Sequence, residues 1–181
     1  MQQYIQLVIR HWAMLGFGFI TVFWGNFGQS FFVSWFGTGI QTSLGLSATA
    51  YGSAYSAATL ASGIVIMAVG GIIDRVPLRR FSTGVALGLM SAALVLSFAS
   101  NLMLLVAGFF LLRLFGQGLL PHTGFTTMAR FFDENRGKAV SIAGSGIPLG
   151  EILLPVITVT MIEWIGWQNS WRMVAISIPL L

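Results

Sequence analysis

Residues 102–128, "LMLLVAGFFLLRLFGQGLLPHTGFTTM", carry a single charged side chain, Arg113. A run this long and this apolar is enough for an α-helix to cross the hydrocarbon core of a bilayer, which takes about 20 mostly apolar residues. Five more runs share its character, at residues 12–36, 48–73, 81–99, 137–162 and 171–181. The last is short and ends while still apolar, so a sixth helix is expected to be truncated by the end of the chain. The expected fold is an all-α membrane protein of about six transmembrane helices.

Composition supports that reading. Only 8% of residues are charged and 56% are hydrophobic, whereas a soluble domain commonly has about a quarter charged residues. There is no cysteine, which excludes disulfides and thiolate chemistry. His11 and His122 are far apart in sequence, so a metal centre has little support. The net charge of +4 is spread over single residues and short loops, without the continuous basic face that nucleic acid requires. No GxxxxGK phosphate loop and no nucleophile constellation occurs, so neither an enzyme nor a cofactor is expected. The apolar run after Arg10 has no small-residue cleavage site and reads as a retained first helix, not a signal peptide.

Lys and Arg are held on the cytoplasmic side of a membrane. Arg10 precedes the first run, Arg75, Arg79 and Arg80 follow the second, and Arg130, Arg136 and Lys138 lie between the fourth and fifth. All seven share one side, which places the N-terminus in the cytoplasm. The opposite loops, "GTGIQTSLGLS" and "SN", have no basic residue, and the one after the fifth run has only Arg172. Trp12 and Trp35 bracket the first run, while Trp164, Trp167 and Trp171 cluster at the outer end of the fifth and sixth; these read as interfacial anchors. Gly108, Gly116, Gly118 and Gly124 in the fourth run suit close helix packing.

The charge in "GGIIDRVPLRRF", residues 70–81, has a definite spacing: Gly70, three residues, Asp74, Arg75, then Arg79 and Arg80. Taken alone, this is either a solvated loop obeying the charge rule or a helix end whose acid holds arginines. The spacing resembles the signature between helices 2 and 3 of the major facilitator superfamily, with Pro77 in place of a second glycine and Leu78 in place of a basic residue. Further stretches resemble the same family: "FGQSFFVSWFG" and "YGSAYSAATLASG" its helices 1 and 2, and "RLFGQGLLPHTGFTTMARFFDENRGKAVSIAGSGIPLGEILLP" its helices 4 and 5. Within the latter, Gln117 and Gly118 stand one place later than the commonest spacing from the helix 4 arginine, and "RGKA" is similar to the monocarboxylate and related bacterial branches. "NSWRM" resembles the opening of helix 6.

The resemblance implies a twelve-helix secondary active transporter of a small solute, of which this chain supplies the N-terminal half. It would work by alternating access in the bacterial inner membrane, as a multi-pass protein in contact with the lipid bilayer. Its partners would be a small-molecule substrate, a coupling proton and the missing C-terminal six-helix half. Gly70, Asp74, Arg75, Arg79 and Arg80 would form a cytoplasmic latch whose acid meets a helix of the other half. Helices 1, 2, 4 and 5 would line the cavity, which makes Asn26, Gln29, Tyr55, Arg113, Gln117 and Glu151 candidate substrate groups.

The residues themselves give reasons for those candidates. A charge at mid-membrane costs about 2.5 to 3.5 kcal/mol, so Arg113 and Glu151 each need a role. Both lie about 20 to 25 Å from the turn between helices 4 and 5 at 1.5 Å per residue, and a buried pair between them is expected, either serving an anionic substrate and a proton or fixing helix packing. Gln117 lies about 40° from Arg113 on a helical wheel and His122 about 180° away, so His122 reads as a packing residue. Asn26, Gln29 and Ser30 share one face of helix 1, and Tyr51 and Tyr55 one face of helix 2; each can bond substrate or tie helix to helix. Gly144, Pro148, Glu151 and Pro155 form a stripe on a bent helix 5.

Two rival classes stand beside the transporter. A six-helix channel lacks a paired NPA or a TVGYG filter signature here. A half-size membrane protein, pairing with itself or acting as a noncatalytic membrane partner, remains compatible with the sequence.

Overall fold

A computed structural model describes residues 2–180, with side chains placed over 6–179. These residues are almost wholly helical and contain no strand. The helices are α1 (Gln2–Gly25), α2 (Ser30–Ser34), α3 (Gly37–Leu44), α4 (Ala48–Val69), α5 (Leu78–Ser97), α6 (Leu102–Leu111), α7 (Leu120–Phe131), α8 (Arg136–Gly144) and α9 (Gly146–Ser177). They assemble into five stretches long and apolar enough to cross a membrane: Gln6–Ser34, Ala48–Asp74, Leu78–Ser97, Leu102–Phe131 and Arg136–Ser177.

The fifth stretch contains two limbs. Gly166 has φ 79°, a left-handed conformation that glycine takes without the penalty of a Cβ. After it the chain turns back along α5: Arg172 lies over the Phe98 ring at 5.0 Å, and Ile178 and Pro179 share a cavity wall with Ser82, Thr83 and Leu87. The sixth limb therefore starts at 167, earlier than the expected 171. Its limit at 181 lies outside the described residues.

The tryptophan expectation fails in part for the same reason. Trp164 is 83% exposed, as an interfacial anchor should be, but Trp167 and Trp171 are buried. Trp171 packs on Phe36 and Phe32 at ring distances of 4.5 and 5.7 Å, and Trp167 donates to Ser43 Oγ at 2.9 Å. These two rings join the sixth limb to the core. Ser43 belongs to α3, which occupies the segment expected as the loop "GTGIQTSLGLS". The segment is helical because Phe36 and Ile40 bury their side chains in the main core, and that burial outweighs the glycine content.

Other helix starts follow local capping chemistry. Ser47 Oγ accepts the amide of Ala50 at 3.1 Å and Asn101 Oδ1 that of Leu104 at 3.0 Å, satisfying amides that the first turns of α4 and α6 leave free. The glycines of the fourth stretch each face a different neighbour. A Cβ at Gly108 would meet Leu96, at Gly118 Ile66, and at Gly124 Thr21. The fourth stretch thus lies at the centre of the bundle, touching α1, α4 and α5.

One end of the bundle gathers the basic loops. His11 stacks edge-on against Phe132 at 5.3 Å, Arg10 and Lys138 line one cavity, and Arg130 pairs with Asp74. The basic residues expected on one membrane face thus do come together.

Candidate functional site

Two irregular segments cross at mid-bundle. In the first, α1 ends at Gly25, a 3-10 turn covers Asn26–Gly28, and Gln29 is extended at φ −75°, ψ 150° before α2 begins. The sequence "GNFGQS" has two glycines, which are poor helix formers, so a break there costs little. In the second, Leu112–Leu119 winds as a π-helix between α6 and α7. Gly116 and Gly118 loosen this segment, and Pro121 has no amide for the carbonyl of Gln117. A π turn encloses one residue more than an α turn. That extra residue accounts for Gln117 and Gly118 standing one place late after Arg113, and it invalidates a helical wheel drawn at 100° per residue through this segment.

The crossing is backbone on backbone. A Cβ on Gly116 would lie 2.8 Å from Cα of Gly28, and one on Gly28 would lie 2.7 Å from the carbonyl oxygen of Leu112. Only glycine at both positions permits this approach. The break turns the carbonyl of Gly28 toward Arg113, whose Nη1 donates to it at 3.0 Å and to Ser30 Oγ at 3.2 Å. Tyr55 Oη donates to the same Ser30 oxygen at 3.0 Å, so that hydroxyl serves two donors. The guanidinium carbon also lies 5.3 Å from the centre of the Tyr55 ring, and Phe109 fixes that ring edge-on at 5.2 Å. The result is a cation held by three elements.

Arg113 and Glu151 do not meet, contrary to expectation. Among the described residues the ion pairs are Arg130–Asp74 and Arg136–Asp133. Glu151 is exposed, because α9 turns Gly150, Leu154 and Thr158 inward and leaves position 151 outside that face. Arg113 therefore has no acidic partner among the described residues. Its Nε is screened from solvent and unpartnered. With Nη1 committed to protein, Nε is a donor left unsatisfied, and only a rearrangement that uncovers it would present the Nε and Nη2 edge, the kind of fork that takes a carboxylate or phosphate with two parallel bonds.

The other candidates separate. Gln29 and Gln117 are partly buried beside the crossing and adjoin Gly28 and Gly116 in sequence. Asn26 is buried, and its Nδ2 donates to the carbonyls of Phe23 and Gly146 at 2.9 and 3.0 Å, so it ties helix 1 to α9. Its Oδ1 is buried without a partner. Tyr51 Oη is likewise buried and unpartnered. Ser30, expected on the polar face of helix 1 either to bond substrate or to tie helices, completes the arginine's cradle here; the Gly28 carbonyl was missed, and the glycines flanking "NF" were the available signal.

A second cluster lies at the basic end. Asp74 pairs with Arg130, in the last turn of α7, and His122 Nε2 bonds the carbonyl of Gly70 at 3.0 Å. A carbonyl only accepts, so Nε2 carries the proton. His122 thus packs as expected, though against the charged loop. The latch acid was expected to await a partner in another half of the protein, and here it has one within this chain. Arg75, Arg79 and Arg80 are exposed and face no acid among the described residues.

The sequence model of the Major Facilitator Superfamily matches residues 14–181, most of the chain, including both irregular segments and the charged loop. The chain belongs to the major facilitator superfamily. Members of this superfamily are secondary transporters, not enzymes, and this chain is accordingly a multi-pass membrane protein of the transporter class. No curated protein and no solved structure matches it. In this major facilitator protein the polar groups at the crossing are the candidate solute site, and the stitched loop is the candidate conformational element.

Proposed function

We propose that this chain is the N-terminal half of a bacterial inner-membrane transporter, related to the monocarboxylate branch, which moves a small organic anion by rocking against a second six-helix half. The observation that carries the reading is the uncompensated guanidinium of Arg113, anchored through Nη1, without an acidic partner among the described residues and with its Nε left unsatisfied. Such a cation within a membrane-spanning segment is costly unless something anionic visits it. Gln29 and Gln117 offer further hydrogen bonds close by. Glu151, exposed and unpaired, is the group assigned to a coupling proton, and Asp74 reports the state of the loop through Arg130.

Uptake of small carboxylates by the complete transporter in proteoliposomes tests this. Arg113→Ala should abolish uptake, and Arg113→Lys, which keeps the charge but loses the fork, should leave a small residue of it. Normal uptake by a well-folded Arg113→Ala protein would refute the reading. Anion uptake without alkalinisation of the outer medium would remove Glu151 and the proton from it.

A purely architectural role for Arg113 has one observation in its favour, the bond to the Gly28 carbonyl. In that case Arg113→Ala would lower the melting temperature, and uptake would fall only in proportion to the folded fraction.

A further inference from the structure

Beside the basic end, α4, α5 and the π segment leave an open groove of about 380 Å³. Its walls are apolar, formed among others by Val69, Ile72, Gly84, Phe115 and Leu119, and Arg80 is the charged residue lining it. Water has no place along such walls, since it would find no hydrogen-bond partners there. In a protein that spans the bilayer, the available filling is an acyl chain. Arg80 at the rim, with Arg75 and Arg79 close in sequence, is exposed and faces no acid among the described residues, because the adjacent Asp74 is taken by Arg130. An apolar slot with an unpaired cationic rim complements a molecule with a hydrocarbon tail and an anionic head.

We infer that this groove is a binding site for an anionic phospholipid of the basic-side leaflet, its acyl chain lying along Gly84 and Phe115 and its phosphate meeting Arg80 with support from Arg79. The inference rests on the chain spanning a bilayer and is independent of what it transports. Basic pockets between membrane helices are suited to anionic headgroups, each nearby Lys or Arg contributing about 1 kcal/mol. Two such charges correspond to about a thirty-fold change in affinity.

Native mass spectrometry of the purified, delipidated protein titrated with phosphatidylglycerol or phosphatidylcholine tests the site. The wild type should retain phosphatidylglycerol preferentially. Arg79→Gln with Arg80→Gln should weaken that retention about thirty-fold. Gly84→Leu should weaken it without loss of fold, because a Cβ at 84 meets nothing within 4 Å and the added side chain occupies the groove. Arg10→Gln, at a separate cavity, serves as the control for general charge loss. Equal retention of the two lipids, or phosphatidylglycerol binding untouched by the arginine changes, would overturn the inference. So would binding lost equally in Arg10→Gln, or binding unaltered by Gly84→Leu, which would mean a headgroup held outside the groove or a groove covered by protein.

Discussion

Gly28→Ala is the sharpest perturbation of the crossing. The new methyl would press most closely on the amide nitrogen of Gln117 and would lie 2.7 Å from the Leu112 oxygen and from the Gly116 carbonyl carbon. These are backbone atoms and cannot rotate aside. Ordinary contact begins near 3.4 Å, and the Gln117 nitrogen is the closest of these atoms, so helix 1 must retreat from the π segment by roughly 1.2 Å. The bond from Arg113 Nη1 to the Gly28 oxygen, now 3.0 Å, would stretch to about 4.2 Å, which is no longer a hydrogen bond. Overpacking costs about 1 to 3 kcal/mol, and a lost bond to a charged group about 1.5 to 3 kcal/mol. Together they give a destabilisation of about 2.5 to 6 kcal/mol. The assay is thermal unfolding in detergent, with solute uptake measured on the folded fraction. Gly16→Ala is the control, because a Cβ there meets nothing within 4 Å. Gly28→Ala melting within a degree of Gly16→Ala would refute the backbone crossing and with it the account of how Arg113 is anchored.

Trp171→Ala should cost about 3 to 5 kcal/mol by opening a cavity against Phe32 and Phe36, while Trp164→Ala should stay within about 0.5 kcal/mol; the two denaturation midpoints decide. A double-mutant cycle on Asp74→Asn and Arg130→Gln should return a coupling below about 1 kcal/mol that fades with salt, because the pair is exposed, with side-chain accessibilities of 54% and 55%. Glu151→Gln should leave the melting temperature unchanged, since no partner is lost; a fall equivalent to more than about 1 kcal/mol would show that Glu151 holds structure.

The apolar runs were legible because membrane solvation demands continuous helix wherever lipid touches backbone. Length and composition suffice for that inference. The break at "GNFGQS" was harder to see, since glycines in membrane helices more often mark close packing than interruption. The π segment escaped because its sign is a single displaced residue, and any wheel drawn through it carries the wrong angle. The failed pairing of Arg113 with Glu151 has a separate cause: matching their depths fixed the height of each residue but not the face, and α9 turns Gly150 inward where Glu151 was expected. Trp167 and Trp171 were misplaced because tryptophan near a helix end looks the same whether it faces headgroups or a helix returning after Gly166. The Asp74–Arg130 pair was within reach of sequence, both residues having been placed on one face of the membrane.

The π segment has a consequence for how this gene can change. In a regular helix, removing one residue swings everything beyond it by about 100°. Between Leu112 and Leu119 the same deletion would let a surplus turn relax into ordinary α geometry. His122 would still face Gly70, and Arg130 would still face Asp74. The central helix is thus expected to tolerate a one-codon loss here, which re-aims Arg113 relative to Gly28 without disturbing the contacts at the basic end. If Arg113 binds solute as proposed, solute preference would change there while the Asp74–Arg130 and His122–Gly70 contacts stay fixed.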